Sequence, residues 1–169
     1  MPKMKKTPCI ILVTLMMIAA CQTKTKIIPV DSIAAKNSVT KVLEKYHSAM
    51  NAKDANTVIS MLDNNGLYCG TDSKDFWDKA THSNNISLMF ADTSLVLRYK
   101  IDKGEVRIAA DGNSAISVEQ CFILAFSQKI PIRMVSHLVK TGNDWLIDFS
   151  RTTFIPNNED IGKLNKAVE

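Results

Sequence analysis

The sequence predicts an α+β domain, with helices first and a meander of antiparallel strands after them, on three observations. Apolar residues recur at three- and four-residue spacing from Asp31 to about Phe90, which gathers them on one side of each helix. From Thr93 onward the period changes to two, the spacing that puts alternate side chains on one face of a strand. An apolar content of 46% with 22% charged residues, over 169 residues, is that of one ordinary globular domain with one core. Helices grouped ahead of strands pack together on one face of the sheet.

The N-terminal segment is set apart from that domain. Lys3, Lys5 and Lys6 precede an apolar run from Cys9 to Ala20 broken only by Thr14, the order of a secretory signal. The run is too short to cross a hydrocarbon core of ~30 Å, which takes about 20 helical residues. Ile18-Ala19-Ala20-Cys21 resembles the lipobox of bacterial lipoproteins. That resemblance implies that residues 1–20 are removed, that the Cys21 thiol is lipidated, and that the lipid bilayer is a partner through it. Two or three acyl chains make such an anchor stable. Gln22, where inner-membrane retention would want aspartate, implies the outer membrane, with the face left open. A plain signal peptide with a cysteine beside its cleavage site is the alternative. Residues 21–30, with Pro29 and no apolar period, read as a tether.

The domain proper is expected over residues 31–156. Ile33, Val39, Val42, Leu43, Tyr46, Ala49 and Met50 mark a long helix from Asp31 to Ala52, capped by Asp31 or Ser32. Asp54 caps a shorter helix through Val58, Ile59 and Leu62, stopped by Asn64-Asn65-Gly66, after which residues 67–70 are extended. Asp72 or Ser73 opens a third helix carrying Phe76, Trp77 and Ala80, and Ile86 to Phe90 add a further turn or two. Strands follow at residues 94–102 and 104–110, joined by Asp102-Lys103-Gly104, then at 114–127, 129–140 and 144–154, ended by Pro156. The tail, residues 157–169, holds Ile161, Leu164 and Val168 at loose helical spacing.

Charge and motifs exclude several function classes. Removing Lys3, Lys5 and Lys6 from the formal +4 leaves about +1, and no basic cluster follows Lys26, so nucleic acid is not an expected partner. His47, His82 and His137 have no metal-ligand spacing, and there is no Gly-rich phosphate loop, nucleophile elbow or CxxC. No metal or cofactor is expected, and surface or structural roles are expected for the three histidines. Cys69 and Cys121 are placed on different faces of the sheet, which favours free thiols over a bridge.

The order of elements, helix one with Tyr46, the piece Leu67-Tyr68-Cys69-Gly70-Thr71-Asp72 through Phe76-Trp77, and the ending Asn143-Asp144-Trp145-Leu146-Ile147-Asp148-Phe149-Ser150 resemble the SnoaL-like branch of the nuclear transport factor 2-like superfamily over about residues 31–156. The resemblance implies a cone, with helices on a curved, mostly antiparallel sheet around a pocket, and a sheet surface often used to dimerise. Alternation then gives inward sets Leu95/Leu97/Tyr99/Ile101, Ile116/Val118/Gln120/Phe122/Leu124/Phe126, Ile132/Met134/Ser136/Leu138 and Trp145/Ile147/Phe149/Arg151. Their polar members Tyr99, Gln120, Ser136 and Arg151, with Tyr46, Asp72 and Trp77, are the ligand-binding candidates. Arg98, Lys100, Arg107, Glu119, Arg133, His137 and Asp148 are expected outside.

Three functions follow. The favoured one is a membrane-anchored domain that binds a small, largely apolar molecule or an envelope partner without assigned catalysis. Arg151, Gln120 and Tyr99 would orient a polar or anionic end, and Trp77, Phe122 and Met134 would line the rest. The second is an isomerase- or cyclase-like enzyme of the resembled family with Asp72 and Tyr46 as acid and base. The third is a cone filled by its own side chains, serving as a dimerising scaffold.

Overall fold

The computed structural model describes residues 32–167. The expected signal segment, Cys21 and the tether therefore lie outside the described residues. Helix α1 (Ser32–Ala52) buries Val39, Leu43, Tyr46, His47, Ala49 and Met50, the stripe that its three- and four-residue spacing predicts. Lys53 turns the chain with a left-handed φ of 55°. Asp54 then caps α2 (Ala55–Ser60) by accepting from the Thr57 amide at 3.0 Å.

Helix α2 ends sooner than expected, because Leu62 begins a strand, β1 (Leu62–Cys69). Asn64-Asn65-Gly66, expected as a helix stop, instead forms an irregularity inside β1. The reason lies beneath it. The Tyr68 side chain is fully buried under Gly66, and a Cβ on Gly66 would fall 2.2 Å from the Tyr68 hydroxyl oxygen. That hydroxyl reaches the carbonyls of Asp63 at 3.0 Å and Ile147 at 2.8 Å, tying the irregular strand to its neighbour. Any side chain at 66 would overpack this site, a change that typically costs about 1–3 kcal/mol.

The third helix does not open at Asp72. Residues 71–78 are a loop in which the Asp72 carboxylate accepts from the Lys74 amide at 2.9 Å and Asp75 accepts from the Asp72 amide at 2.8 Å. Trp77 is held by a two-way backbone bridge to Tyr68, both bonds 2.9 Å, which removes its backbone from any helix. Helix α3 (Lys79–Ala91) starts only after Asp78, whose carboxylate accepts from the Thr81 amide at 2.8 Å. It absorbs the expected Ile86–Phe90 segment as one continuous helix.

The sheet has five strands in the order β1-β5-β4-β3-β2, where β2 is Tyr99–Ile108, β3 Ser114–Ile123, β4 Ser127–Thr141 and β5 Asp144–Phe154. Strand β1 runs parallel to β5 and every other pairing is antiparallel. The α+β architecture with helices ahead of a mostly antiparallel sheet is as the sequence predicts. The expected hairpin at Asp102-Lys103-Gly104 is absent. Strand β2 runs straight through it against β3, with one register shift between Ile101 and Lys103. Turn-like composition here marks a bulge in an edge strand. A ten-residue β3 closes earlier than expected, at Ile123, and Leu124-Ala125-Phe126 make the turn into β4. The tail forms a short 3₁₀ turn and helix α4 (Ile161–Ala167).

Two of the expected inward faces are corrected. Strand β4 buries Ile132, Met134, Ser136 and Leu138 as expected. Strand β3 buries Ala115, Ser117, Glu119, Cys121 and Ile123 instead, leaving Ile116 49% and Val118 39% exposed. Strand β5 buries Trp145 and Ile147, then changes phase at Asp148, where His137 pairs with Phe149 but Leu138 pairs with Ile147. Beyond that bulge Ser150 lies opposite the buried Ser136, and Arg151 is exposed. Cys69 and Cys121 are both free and both buried. The inversion of β3 puts Cys121 on the inner face, against the expected placing. Among the described residues no helix is long and apolar enough to cross a membrane.

Candidate functional site

A cavity of about 150 Å³ opens where the second half of α1, the end of β1, the loop before α3, α3 itself and β5 converge. Helix α1 contributes Tyr46 and Met50; α3 contributes His82, Asn85, Ile86 and Met89, residues three and four apart that share one helix face. Cys69 and Gly70 come from the end of β1, Asp75 and Trp77 from the loop, Tyr99 from the start of β2, and Ser150 and Thr152 from β5 beyond its bulge. Phe126 closes the wall from the β3–β4 turn.

At one side of this cavity three rings are stacked. His82 lies between Tyr68, at 4.7 Å and 11° between planes, and Trp77, at 5.5 Å and 14°. Neither ring nitrogen of His82 has a hydrogen-bond partner among the described residues, and both are shielded from solvent. Burial disfavours its charged form and brings its pKa down from 6.5 to about 4. The ring is therefore a neutral imidazole near pH 7, with one donor and one acceptor. Burial, and after it the charge of Glu119, pushes the Tyr46 phenol up to about 12. Burial, then Tyr46 and Cys121, holds Tyr99 well above the ordinary range. Both stay protonated and able to donate.

Behind Tyr46 and Tyr99 sits a buried ion-pair geometry that the sequence reading missed. His47 Nε2 lies 3.1 and 3.0 Å from the two carboxylate oxygens of Glu119, both side chains about 10% exposed. The His47 ring meets Tyr46 edge-on at 5.7 Å and Tyr99 at 5.6 Å. Neither His47 nor Glu119 lines the cavity. A carboxylate does point inward from the strands, then, and it is Glu119, expected outside because its neighbours Val118 and Gln120 were taken as inward. His137 and Asp148 form a second pair at 2.6 Å between strands β4 and β5, partly exposed.

Of the seven candidate ligand residues, Tyr46, Trp77 and Tyr99 line the cavity and four do not. Asp72 is exposed and its carboxylate is committed to the loop. Gln120 is on the outer face, donating to Asp102 and accepting from Arg133, each at 3.1 Å. Ser136 is buried in the core among the sheet's inner residues. Arg151 points outward and donates to the Thr153 hydroxyl at 3.1 Å. Phe122 and Met134, expected as apolar lining, belong to the outer face and to the core respectively. His82 and Asn85 were legible only through the Asp78 cap, which sets the phase of α3. Among the described residues no group of three or more His, Cys, Asp or Glu side chains is placed to hold a metal ion.

A mostly antiparallel sheet covered by helices, with a small, chiefly apolar cavity between them, defines the class of fold. The chain belongs to the SnoaL-like domain family, whose model matches residues 39–150. Solved structures agree on the fold. A nuclear transport factor 2-like protein of unknown function from Pseudomonas putida is 13% identical at a TM-score of 0.64, covering 76% of this chain and 92% of that one. A nuclear transport factor 2-like protein from Cytophaga hutchinsonii is 14% identical at 0.58, covering 70% and 97%. A Novosphingobium aromaticivorans protein provisionally named a scytalone dehydratase is 5% identical at 0.61, covering 73% and 86%. No curated protein matches the chain.

The neutral state of His82 has a consequence for stability. Its folded pKa of about 4 lies below the 6.5 of the free side chain, so the unfolded chain binds the proton more readily between those values. The contribution is complete above pH 6.5 and is lost as pH falls toward 4. Allowing for partial exposure of the ring, it amounts to about 2 kcal/mol. Urea unfolding at pH 7 and pH 4.5 should show this slope in the native protein. His82→Phe, which keeps a flat ring in the stack, should lose that part of it; an identical slope in the variant would assign the acid sensitivity to other groups.

Proposed function

We propose that the protein is a lipoprotein, anchored through Cys21 in the outer membrane, whose SnoaL-like domain binds a small, largely apolar molecule in the cavity between α1, α3 and the sheet. The observation that carries the reading is the cavity itself. Its wall is chiefly apolar and aromatic, with Tyr46, Met50, Trp77, Ile86, Met89 and Tyr99 set against a few polar groups, the composition of a small-molecule site. The acid/base role that the family resemblance offered Asp72 has no support in its position, so the reading assigns no catalytic step. The lipobox-like Ile18-Ala19-Ala20-Cys21 supports the anchor. The outer sheet face, with Ile116 and Val118 exposed on β3 and Val135 and Phe149 half-buried beside them, supports a homodimer through that face.

Three measurements check the three parts. Titrating the protein with toluene should shift the Met50 and Met89 methyl resonances, and Met89→Trp, which fills the space, should abolish the shift at Met50. An unchanged response in that variant would place toluene elsewhere. Cys21→Ser should abolish incorporation of labelled palmitate and release the protein from the membrane fraction; a variant that stays lipid-labelled would remove the anchor. Sedimentation equilibrium should give a dimer that Val118→Lys converts to monomer with the fold intact. A native monomer would rule out the sheet-face dimer.

A further inference from the structure

We propose that the outer face of the sheet carries a second binding site, a groove at the start of β2 that takes an anionic amphiphile, a phosphate or carboxylate head on a single alkyl chain. The groove has a volume of about 350 Å³ and is lined by Arg98, Lys100, Phe122, Leu124, Ser127 and Gln128. None of the six lines the cavity between α1, α3 and the sheet, so the two sites are separate. The groove sits at a corner of the sheet, where the edge strand β2 begins and β3 ends, beyond the stretch from Ile116 to Val118 that supports the dimer.

The backbone explains the grouping. Lys100 lies opposite Phe122 in the β2–β3 ladder, and opposed residues of an antiparallel pair share a face. The Leu124 amide donates to the Arg98 carbonyl at 3.2 Å, which carries the pairing on beyond the end of β3. Tyr99, between the two cations in sequence, turns to the opposite face and lines the cavity.

Charge decides the head. Ion pairs among the described residues engage Lys36, His47, His137 and Lys163, and none engages Arg98 or Lys100. No carboxylate lines the groove. Two exposed cations set two residues apart along one strand, about 6–7 Å, repel each other, and an anion between them relieves that repulsion. The Arg98 guanidinium offers a planar fork of donors matched to phosphate or carboxylate oxygens, and Lys100 adds a point charge. Ser127 adds a third donor. Its Oγ already accepts from the Lys129 and Ile130 amides, at 3.1 and 2.8 Å, which leaves its O–H to donate.

The floor decides the tail. Phe122 and Leu124 are only half-buried, so each keeps apolar surface in water beside the cations. A bare inorganic anion leaves that surface wet, whereas an alkyl chain covers it and gains from its burial.

The test titrates the full chain at pH 7 with decyl phosphate, decyl maltoside and inorganic phosphate, both detergents below their micelle concentrations. Backbone amide resonances of Lys100, Leu124 and Gln128 report on the groove, and the Met50 and Met89 methyl resonances report on the cavity. Decyl phosphate should shift the three amides and bind at least about tenfold more tightly than either decyl maltoside or inorganic phosphate. The double substitution Arg98→Gln and Lys100→Gln, at two exposed positions, should bring decyl phosphate down to the affinity of decyl maltoside and leave the latter unchanged. Decyl maltoside binding as tightly as decyl phosphate overturns the proposal, as does a double variant that keeps the full affinity. A response confined to Met50 and Met89 would put the chain in the cavity and overturn the groove. Amide shifts with phosphatidylglycerol vesicles and none with dispersed decyl phosphate would make the cations a membrane contact and equally overturn it. Toluene binding at Met50 and Met89 is independent of all these outcomes, so the groove and the cavity reading fail separately.

Discussion

The packing of α1 on the inner face of β3 and β2 is the constraint from which the rest of the domain follows. Helix α1 makes its close approach to the sheet at β2, and beside it β3 turns toward the core a row of small side chains, Ala115, Ser117 and Cys121. The one long residue among them, Glu119, is tolerated because His47 meets it with a nitrogen near both oxygens. Removing one member of a buried pair leaves the other uncompensated. Gly104, opposite Glu119 on β2, continues the same logic, since a Cβ there would sit 3.3 Å from the Glu119 Cγ. The pair also fixes the two tyrosines of the cavity, because His47 lies against both rings.

A second tie closes the other side of the cone. Strand β1 runs parallel to β5 and is interrupted between Leu62 and Leu67, so few ladder bonds hold it. Tyr68 compensates by reaching from beneath Gly66 to the Ile147 carbonyl at 2.8 Å, and its backbone clasps Trp77. The ring that performs this structural task is also the floor of the His82 stack. Tyr68 does not itself line the cavity, but through its contact with His82 it braces one wall against the sheet.

Much of this was legible in the sequence. Helix α1 and the α2 cap at Asp54 were read from spacing and a single acidic residue, and β4 from clean alternation. Tyr99 was expected at the pocket from strand alternation and Tyr46 from helix one, whereas Trp77 was expected there on a third helix that the structure replaces with a loop. What was not legible came from features that alternation cannot see. Strand β3 has an apolar outer row, Ile116 and Val118, and a small, partly polar inner row, so ranking faces by apolarity inverted it. Residues opposed in an antiparallel pair share a face, so the correct β3–β4 turn, at Leu124-Ala125-Phe126, would have fixed β3 from β4. The bulge at Asp148 turned Arg151 outward and brought Ser150 and Thr152 in. Asp72 and Asp78 compete as helix caps, and only the long-range bridge between Tyr68 and Trp77 decides for the second.

The polarity of α1 has a further bearing on how such a domain meets its surroundings. The chain enters the domain at Ser32, whereas Tyr46 and Met50 reach the cavity from the far half of the helix, roughly 20 Å away at 1.5 Å of rise per residue. The start of α1 and its cavity-lining residues thus lie at opposite ends of the helix. Under the proposed anchoring, a surface that held the protein by its N-terminus would meet the end of α1 remote from the cavity, and a bound molecule would then exchange with the aqueous phase.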